Sequence, residues 1–210
     1  MKTRNKALVL TLCAVLLVVA TVMGTMAYLT STDSVTNTFT VGKVAITLDE
    51  AKVNPNGTLI YKEDGTTPVA RVKENEYKLI PGHSYTKDPT VHVAADSEDS
   101  YIFVKVENGI APFEVAGDKA IANQIEKNQW NNLKGVTGVY YKEYTSANAQ
   151  KDLVVFENFE IADTAGSTDA WNNVNPQNTK VTVTAYAVQK DGFADANAAW
   201  TATFGAPANP

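Results

Sequence analysis

Two histidines, three tryptophans and a short acidic cluster are the side chains of this 210-residue chain with the clearest capacity for chemistry. A hydrolytic zinc site places two histidines four apart on one helix face, with a glutamate as base. His83 and His92 do not have that spacing. His83 follows the Pro81-Gly82 turn, and His92 lies in a strand-like segment at the parity opposite Val91 and Val93, so both read as surface or rim residues. The Gly-x-Ser-x-Gly elbow of serine hydrolases is absent from the sequence, and Gly166-Ser167 is a turn in a polar loop. Asp96, Glu98 and Asp99 lack the loop-wide oxygen spacing of a calcium site and read as a solvated turn. Paired carboxylates for glycoside hydrolysis remain open, because the fold sets their separation. Trp130, Trp171 and Trp200 sit beside amphipathic segments, where packing in a core is the expected role and sugar stacking the alternative. The sequence therefore nominates no catalytic residue, no cofactor-binding residue and no metal ligand.

The elements that would position these side chains are mostly strands. Residues 28–210 are rich in Thr, Val, Ala, Asn and Tyr, in short apolar runs between turn residues. Strand candidates are Thr38 to Leu48, Thr58 to Tyr61 and Pro68 to Val72 around the Asp64-Gly65 turn, Tyr77 to Ile80, and Thr90 to Ala94 paired with Tyr101 to Glu107 across the acidic loop. Val139 to Tyr144, Leu153 to Ile161 and Lys180 to Gln189 follow. In the first, Phe39 and Val41 have one parity and Val44, Ile46 and Leu48 the other, so a bulge at Gly42 would bring both sets to one face. Ile102, Val104 and Val106 oppose Tyr101, Phe103 and Lys105. Ile121 and Ile125 predict a short helix over Asp118 to Leu133 with Asp118 near its N-cap, broken by Gly135 and Gly138. Asp195 to Thr203 predicts a second helix carrying Trp200. Strands with short inserted helices predict a mainly β chain, an antiparallel β-sandwich.

The N-terminus carries an address. Lys2, Arg4 and Lys6 precede the uncharged apolar run Ala7 to Met23, and Gly24-Thr25-Met26-Ala27 is a small-residue exit. Thr25 and Ala27 occupy the −3 and −1 positions of a signal peptidase, which places cleavage before Tyr28. An uncleaved anchor is the alternative. Residues 1–27 are thus a signal peptide, predicted to be helical, and 28–210 a single domain whose tail, 205–210, is expected to be disordered. Cleavage removes Cys13, the only cysteine, so the mature chain has neither disulfides nor thiolate chemistry. Removing Lys2, Arg4 and Lys6 from 18 basic residues leaves 15 against 23 acidic ones, a net charge of −8. That charge argues against nucleic acid and anionic membranes as partners.

Tyr28-Leu29-Thr30-Ser31-Thr32-Asp33 after the small-residue exit, then Phe39-Thr40-Val41-Gly42-Lys43-Val44-Ala45-Ile46-Thr47-Leu48, resembles the TasA/camelysin family of Gram-positive exported proteins. Leu79-Ile80-Pro81-Gly82 followed by Thr86-Lys87-Asp88 is similar to a second segment of that family, and Val183 to Gln189 to a C-terminal strand of its clostridial members. Between Asn108 and Thr179 the resemblance has no motif.

The resemblance implies processing by a SipW-type signal peptidase, a jelly-roll-like sandwich, and secretion to the extracellular matrix or cell surface. It also implies assembly into biofilm fibres by donor-strand exchange, with self and other matrix proteins as partners. Residues 28–48 would then hold the donated strand, with Phe39, Val41, Val44 and Ile46 entering a neighbour's groove. Physically this is β-augmentation, and open head-to-tail addition generates a filament. Two alternatives stand beside it: a secreted camelysin-like metalloprotease, for which the chain offers no motif, and a monomeric surface adhesin.

Overall fold

Apolar side chains of both parities over Ser100–Asn108 produce a strand buried on two faces. Ile102 and Val104, with Val106 partly buried, face one apolar cluster, while Tyr101 and Phe103 face a second, as their parities predict. The computed structural model describes residues 12–16, 43–148, 151–172 and 179–205. Met1–Val41 and Gly42–Pro210 are separate units. In the first, residues 12–16 are helical and exposed. No helix among the described residues is long and apolar enough to cross a membrane. The expected cleavage residues Thr25, Ala27 and Tyr28, the strand residues Phe39 and Val41, and residues 206–210 of the tail lie outside the described residues.

The second unit is mainly β, with antiparallel sheets and few short helices. Its strands are β1 (Ile46–Asp49), β2 (Ser84–Thr86), β3 (Thr90–Val93), β4 (Ser100–Asn108), β5 (Asn131–Asn132), β6 (Val139–Tyr144), β7 (Asp152–Val154), β8 (Asn158–Glu160) and β9 (Val181–Gln189). Helices are α1 (Ile121–Lys127), α2 (Asp169–Asn172) and α3 (Ala196–Phe204). The sheet orders are β1-β3-β7, β2-β8 and β5-β6-β4-β9.

Several expectations are corrected. β3 and β4 do not pair across the acidic loop: β3 lies between β1 and β7, and β4 between β6 and β9. Two-sided burial of β4 explains this, because each of its faces feeds a different cluster. The expected strand from Leu153 to Ile161 is divided into β7 and β8. Its register against β2 and β3 nevertheless continues through the break, where Lys87 N–H donates to Glu157 O and Val155 N–H to Pro89 O. Pro89 has no N–H to return, which interrupts the ladder at that point.

The helix expected over Asp118 to Leu133 is shorter. Asp118 lies in the 3₁₀ turn Gly117–Lys119, and Ala120 occupies the α1 N-cap position without a side-chain bond. Gln129, at φ 63°, helps end the helical register ahead of Gly135. Ile121 and Ile125 do face the core, as predicted. Of the expected strand from Thr38 to Leu48, residues 43–48 lie among the described residues and are strand from Ile46, and Thr58–Tyr61 meets Pro68–Val72 at the isolated Tyr61–Pro68 bridge. Tyr77 to Ile80 forms no strand, and Lys78 N–H donates to Pro55 O.

α3 begins as its sequence requires: the Asp195 carboxylate accepts Ala198 N–H at 2.8 Å. It lays Trp200 against Phe103 and Tyr186, with ring centroids 5.2 and 5.6 Å apart. Trp130 is buried and donates its indole N–H to Val154 O at 2.8 Å. Trp171 packs edge-on against Phe113. All three tryptophans are packing residues, as expected from their sequence neighbourhoods.

Candidate functional site

β9 is the last strand of its sheet among the described residues, and the chemistry of its outer edge follows from its register with β4. Gly109 N–H donates to Lys180 O, and Lys190 N–H donates to Asp99 O. Antiparallel alternation therefore turns the peptide groups of Thr182, Thr184, Tyr186 and Val188 toward β4 and those of Val181, Val183, Ala185 and Ala187 outward. No strand among the described residues pairs with that outer edge. The same four side chains pack, partly buried, against the main core. Nine residues of strand make an edge about 30 Å long.

β1 is the other strand edge in this region, and it is blocked. Glu50 and Val72 exchange both backbone bonds on the side of β1 away from β3. Alternation puts the Leu48 peptide on that same side, where Lys73 Nζ donates to the Leu48 carbonyl. A lysine over an edge carbonyl and a bridging segment beside it are ordinary means of stopping strand addition.

Between these edges lies a groove of about 1020 Å³. Leu48, Tyr77, Leu79, Ile110 and Phe159 supply apolar wall, and β9 contributes Val181, Val183 and Ala185. Phe159 stacks on Tyr85 at 4.9 Å and meets Tyr77 edge-on at 5.3 Å, so that wall is rigid and aromatic.

Asp49, Glu50 and Lys87 bring charge to the groove. Arg71 joins Asp49 to Asp88, contacting Asp88 Oδ2 at 2.8 Å, and Lys87 pairs with Glu50 in a buried contact. Burial opposes ionisation of Asp49, yet bonds from Arg71 and His92 hold its carboxyl below the usual range. Burial and the nearby Glu50 and Asp88 charges push the Tyr77 phenol far up.

His92 is not an isolated rim residue but sits between two carboxylates. Its Nε2 lies 2.9 Å from Asp49 Oδ1 on β1, and its Nδ1 lies 2.7 Å from Asp152 Oδ1 on β7. Burial lowers its proton affinity, but the two carboxylates more than offset that and raise it. His83 is exposed. Among the described residues, no group of three or more His, Cys, Asp or Glu is placed to hold a metal ion. In the acidic turn, Asp96 pairs with Lys43, Asp99 accepts Ser146 N–H, and Glu98 N–H donates to Lys43 O.

Of the four side chains expected in a donated strand, two lie among the described residues. Val44 is half-buried ahead of β1, and Ile46 belongs to β1 itself, opposite Val93. The Glu50, Asn75 and Lys87 cluster escaped sequence reasoning. Its members come from three separate segments, and only Lys87 fell within a recognised motif. No family model, curated protein or solved structure matches the chain.

Proposed function

We propose that this protein is an exported structural subunit of an extracellular biofilm-matrix fibre, assembled by strand exchange through its N-terminal segment. The outer edge of β9 carries the reading: nine residues of strand with outward peptide groups beside an apolar groove. Such an edge is a template for one more strand, with backbone bonds supplying affinity and alternate side chains filling the groove. The TasA/camelysin resemblance of residues 24–48 supports the same reading and supplies the strand. It also supports a jelly-roll-like sandwich for the fold, secretion, and cleavage after Ala27 by a SipW-type peptidase.

The donated arm is the part ahead of Lys43, with Phe39 and Val41 as its inserted side chains. Ile46 already pairs with Val93, and Ala45 is tied to the turn after β3, its N–H donating to Ser97 Oγ and its carbonyl accepting Ala94 N–H. Donating Val44 or Ile46 would open those bonds. Each arm enters the next copy, so addition is head-to-tail and does not close. Other matrix proteins with a comparable arm would enter the same groove.

Electron microscopy of protein beginning at Tyr28, compared with protein beginning at Val41, tests the proposal. Filaments are expected from the first, and a folded monomer from the second. Equal filaments from both would sink strand exchange. Monomers from both would leave the adhesin reading in its place.

A further inference from the structure

We infer that Lys87 and Asn75 become joined by an intramolecular isopeptide bond, formed by the protein itself with Glu50 as the catalytic residue. Glu50 is 4% exposed and Lys87 9%. Lys87 Nζ donates to Glu50 Oε2. Asn75 Nδ2 donates to the other oxygen of the same carboxylate, Oε1, at 2.9 Å. One buried carboxylate thus holds an amine nucleophile and a carboxamide electrophile together.

The carboxamide is held in one orientation. Its Nδ2 also donates to Ala51 O at 2.9 Å, and its Oδ1 accepts Val53 N–H at 3.0 Å. A backbone carbonyl on one side and a backbone N–H on the other permit only this orientation of the amide. The Val53 N–H is therefore aimed at the oxygen on which negative charge develops when Cγ is attacked. The Tyr77 ring lies 5.7 Å from Lys87 Nζ, and its hydroxyl donates to Thr86 O. Burial there raises the Tyr77 phenol, as expected of a desolvated pocket. Other lysine–carboxylate pairs, such as Lys43–Asp96 and Lys190–Glu143, are exposed to water, which keeps an ammonium hydrated and unreactive.

The step balances without an oxidant or any added group. Glu50 takes one proton from the Lys87 ammonium, removing two buried charges and freeing the Nζ lone pair. The lone pair attacks Asn75 Cγ, forming the Cγ–Nζ bond and placing charge on Oδ1. Nζ then loses a second proton through Glu50, which protonates Nδ2 as the Cγ–Nδ2 bond breaks. Ammonia leaves as ammonium with the remaining proton, and Glu50 returns to carboxylate. The product is a secondary amide that ties the Asn75 segment to the wall of the groove after β2.

Intact-mass measurement and tryptic mapping of the purified chain test the inference. The wild type should be lighter by one ammonia, about 17 Da, and should yield a branched peptide joining Lys87 to Asn75. Glu50→Gln and Lys87→Arg should show neither. Succinimide closure at Asn56-Gly57 produces the same loss, so the branched peptide is the deciding observation. Only linear Lys87 and Asn75 peptides from the wild type would overturn the inference, and this readout holds even if both variants fail to fold. Persistence of the branch in Glu50→Gln would also overturn it, as would loss of water with Lys87 joined to Glu50.

Discussion

His92 on β3 reaches the Asp49 carboxylate at the end of β1, with Nε2 2.9 Å from Oδ1. Asp152 on β7 holds the opposite ring nitrogen, so one imidazole clips three strands together. Arg71 stands behind Asp49, and Asp88 behind Arg71. The two carboxylates raise the folded-state pKa of His92 above its ordinary value near 6.5, burial notwithstanding. Its stabilisation is therefore complete below the unfolded value and is lost as pH rises through the raised folded value. A neutral ring has one N–H and presents a lone pair to the other carboxylate. Asp49 has the opposite sign: its contribution is present above the unfolded carboxylate value and fades as pH falls through its lowered folded one. Urea unfolding should show wild type losing about 0.5–1 kcal/mol relative to His92→Gln between mildly acidic and alkaline pH. Parallel curves for the two proteins would dismiss the clip.

Gly57 and Gly65 both have positive φ, at 77° and 67°, but their surroundings differ. A Cβ at Gly57 would lie 2.7 Å from Tyr85 Cα and 2.8 Å from Tyr85 Cβ, whereas one at Gly65 meets nothing. Gly65→Ala should cost about 1–2 kcal/mol, the ordinary penalty of a left-handed alanine. Gly57→Ala adds displacement of the β2 backbone and the stacked Tyr85–Phe159 pair, for a total of about 3 kcal/mol or more. Equal midpoint shifts in denaturant would show that the turn closes independently of β2.

Period and turn residues made individual elements legible in the sequence. β6 has the expected limits, β9 begins one residue later than expected, and α3 has its Asp195 cap. The Gly65 and Gly82 turns both have positive φ. Partnership was less legible, because alternation reports which face is buried without naming the neighbouring strand. Thr90–Val93 and Ser100–Asn108 look like a hairpin in sequence, yet their apolar faces belong to different sheets. At the candidate site, β9 was visible as a strand, but its open edge depends on what lies beside it. The Glu50, Asn75 and Lys87 cluster had no pattern to betray it, being assembled wholly by tertiary folding.

Trp130 fills the core through its ring and satisfies Val154 O through its indole N–H. Trp130→Phe keeps most of the apolar contact and removes the donor, leaving a carbonyl at the end of β7 without that partner. The expected cost is about 1–3 kcal/mol, the range for stranding a buried acceptor. Urea denaturation followed by circular dichroism measures it, and hydrogen exchange should show the β7 amides opening more readily than those of β9. A neutral substitution would mean that water replaces the indole.

The β9 edge can be tested at single-residue resolution because successive peptide groups point opposite ways. Ala185 N–H points outward, whereas Tyr186 N–H points toward Phe103 on β4. Proline at 185 removes only an outward donor and is compatible with an edge strand. Proline at 186 breaks the β4 ladder and removes the ring that packs on Trp200. Ala185→Pro should remain folded, with Tm within about 4 °C of wild type, while losing filaments in electron micrographs. Tyr186→Pro should lose the fold itself. Lys73→Met uncovers the Leu48 carbonyl on β1 and should leave filaments intact, since Glu50 and Val72 still close that edge. Wild-type filaments from a folded Ala185→Pro protein would move the acceptor edge away from β9. They would leave the fibre reading itself to be decided by the N-terminal deletion.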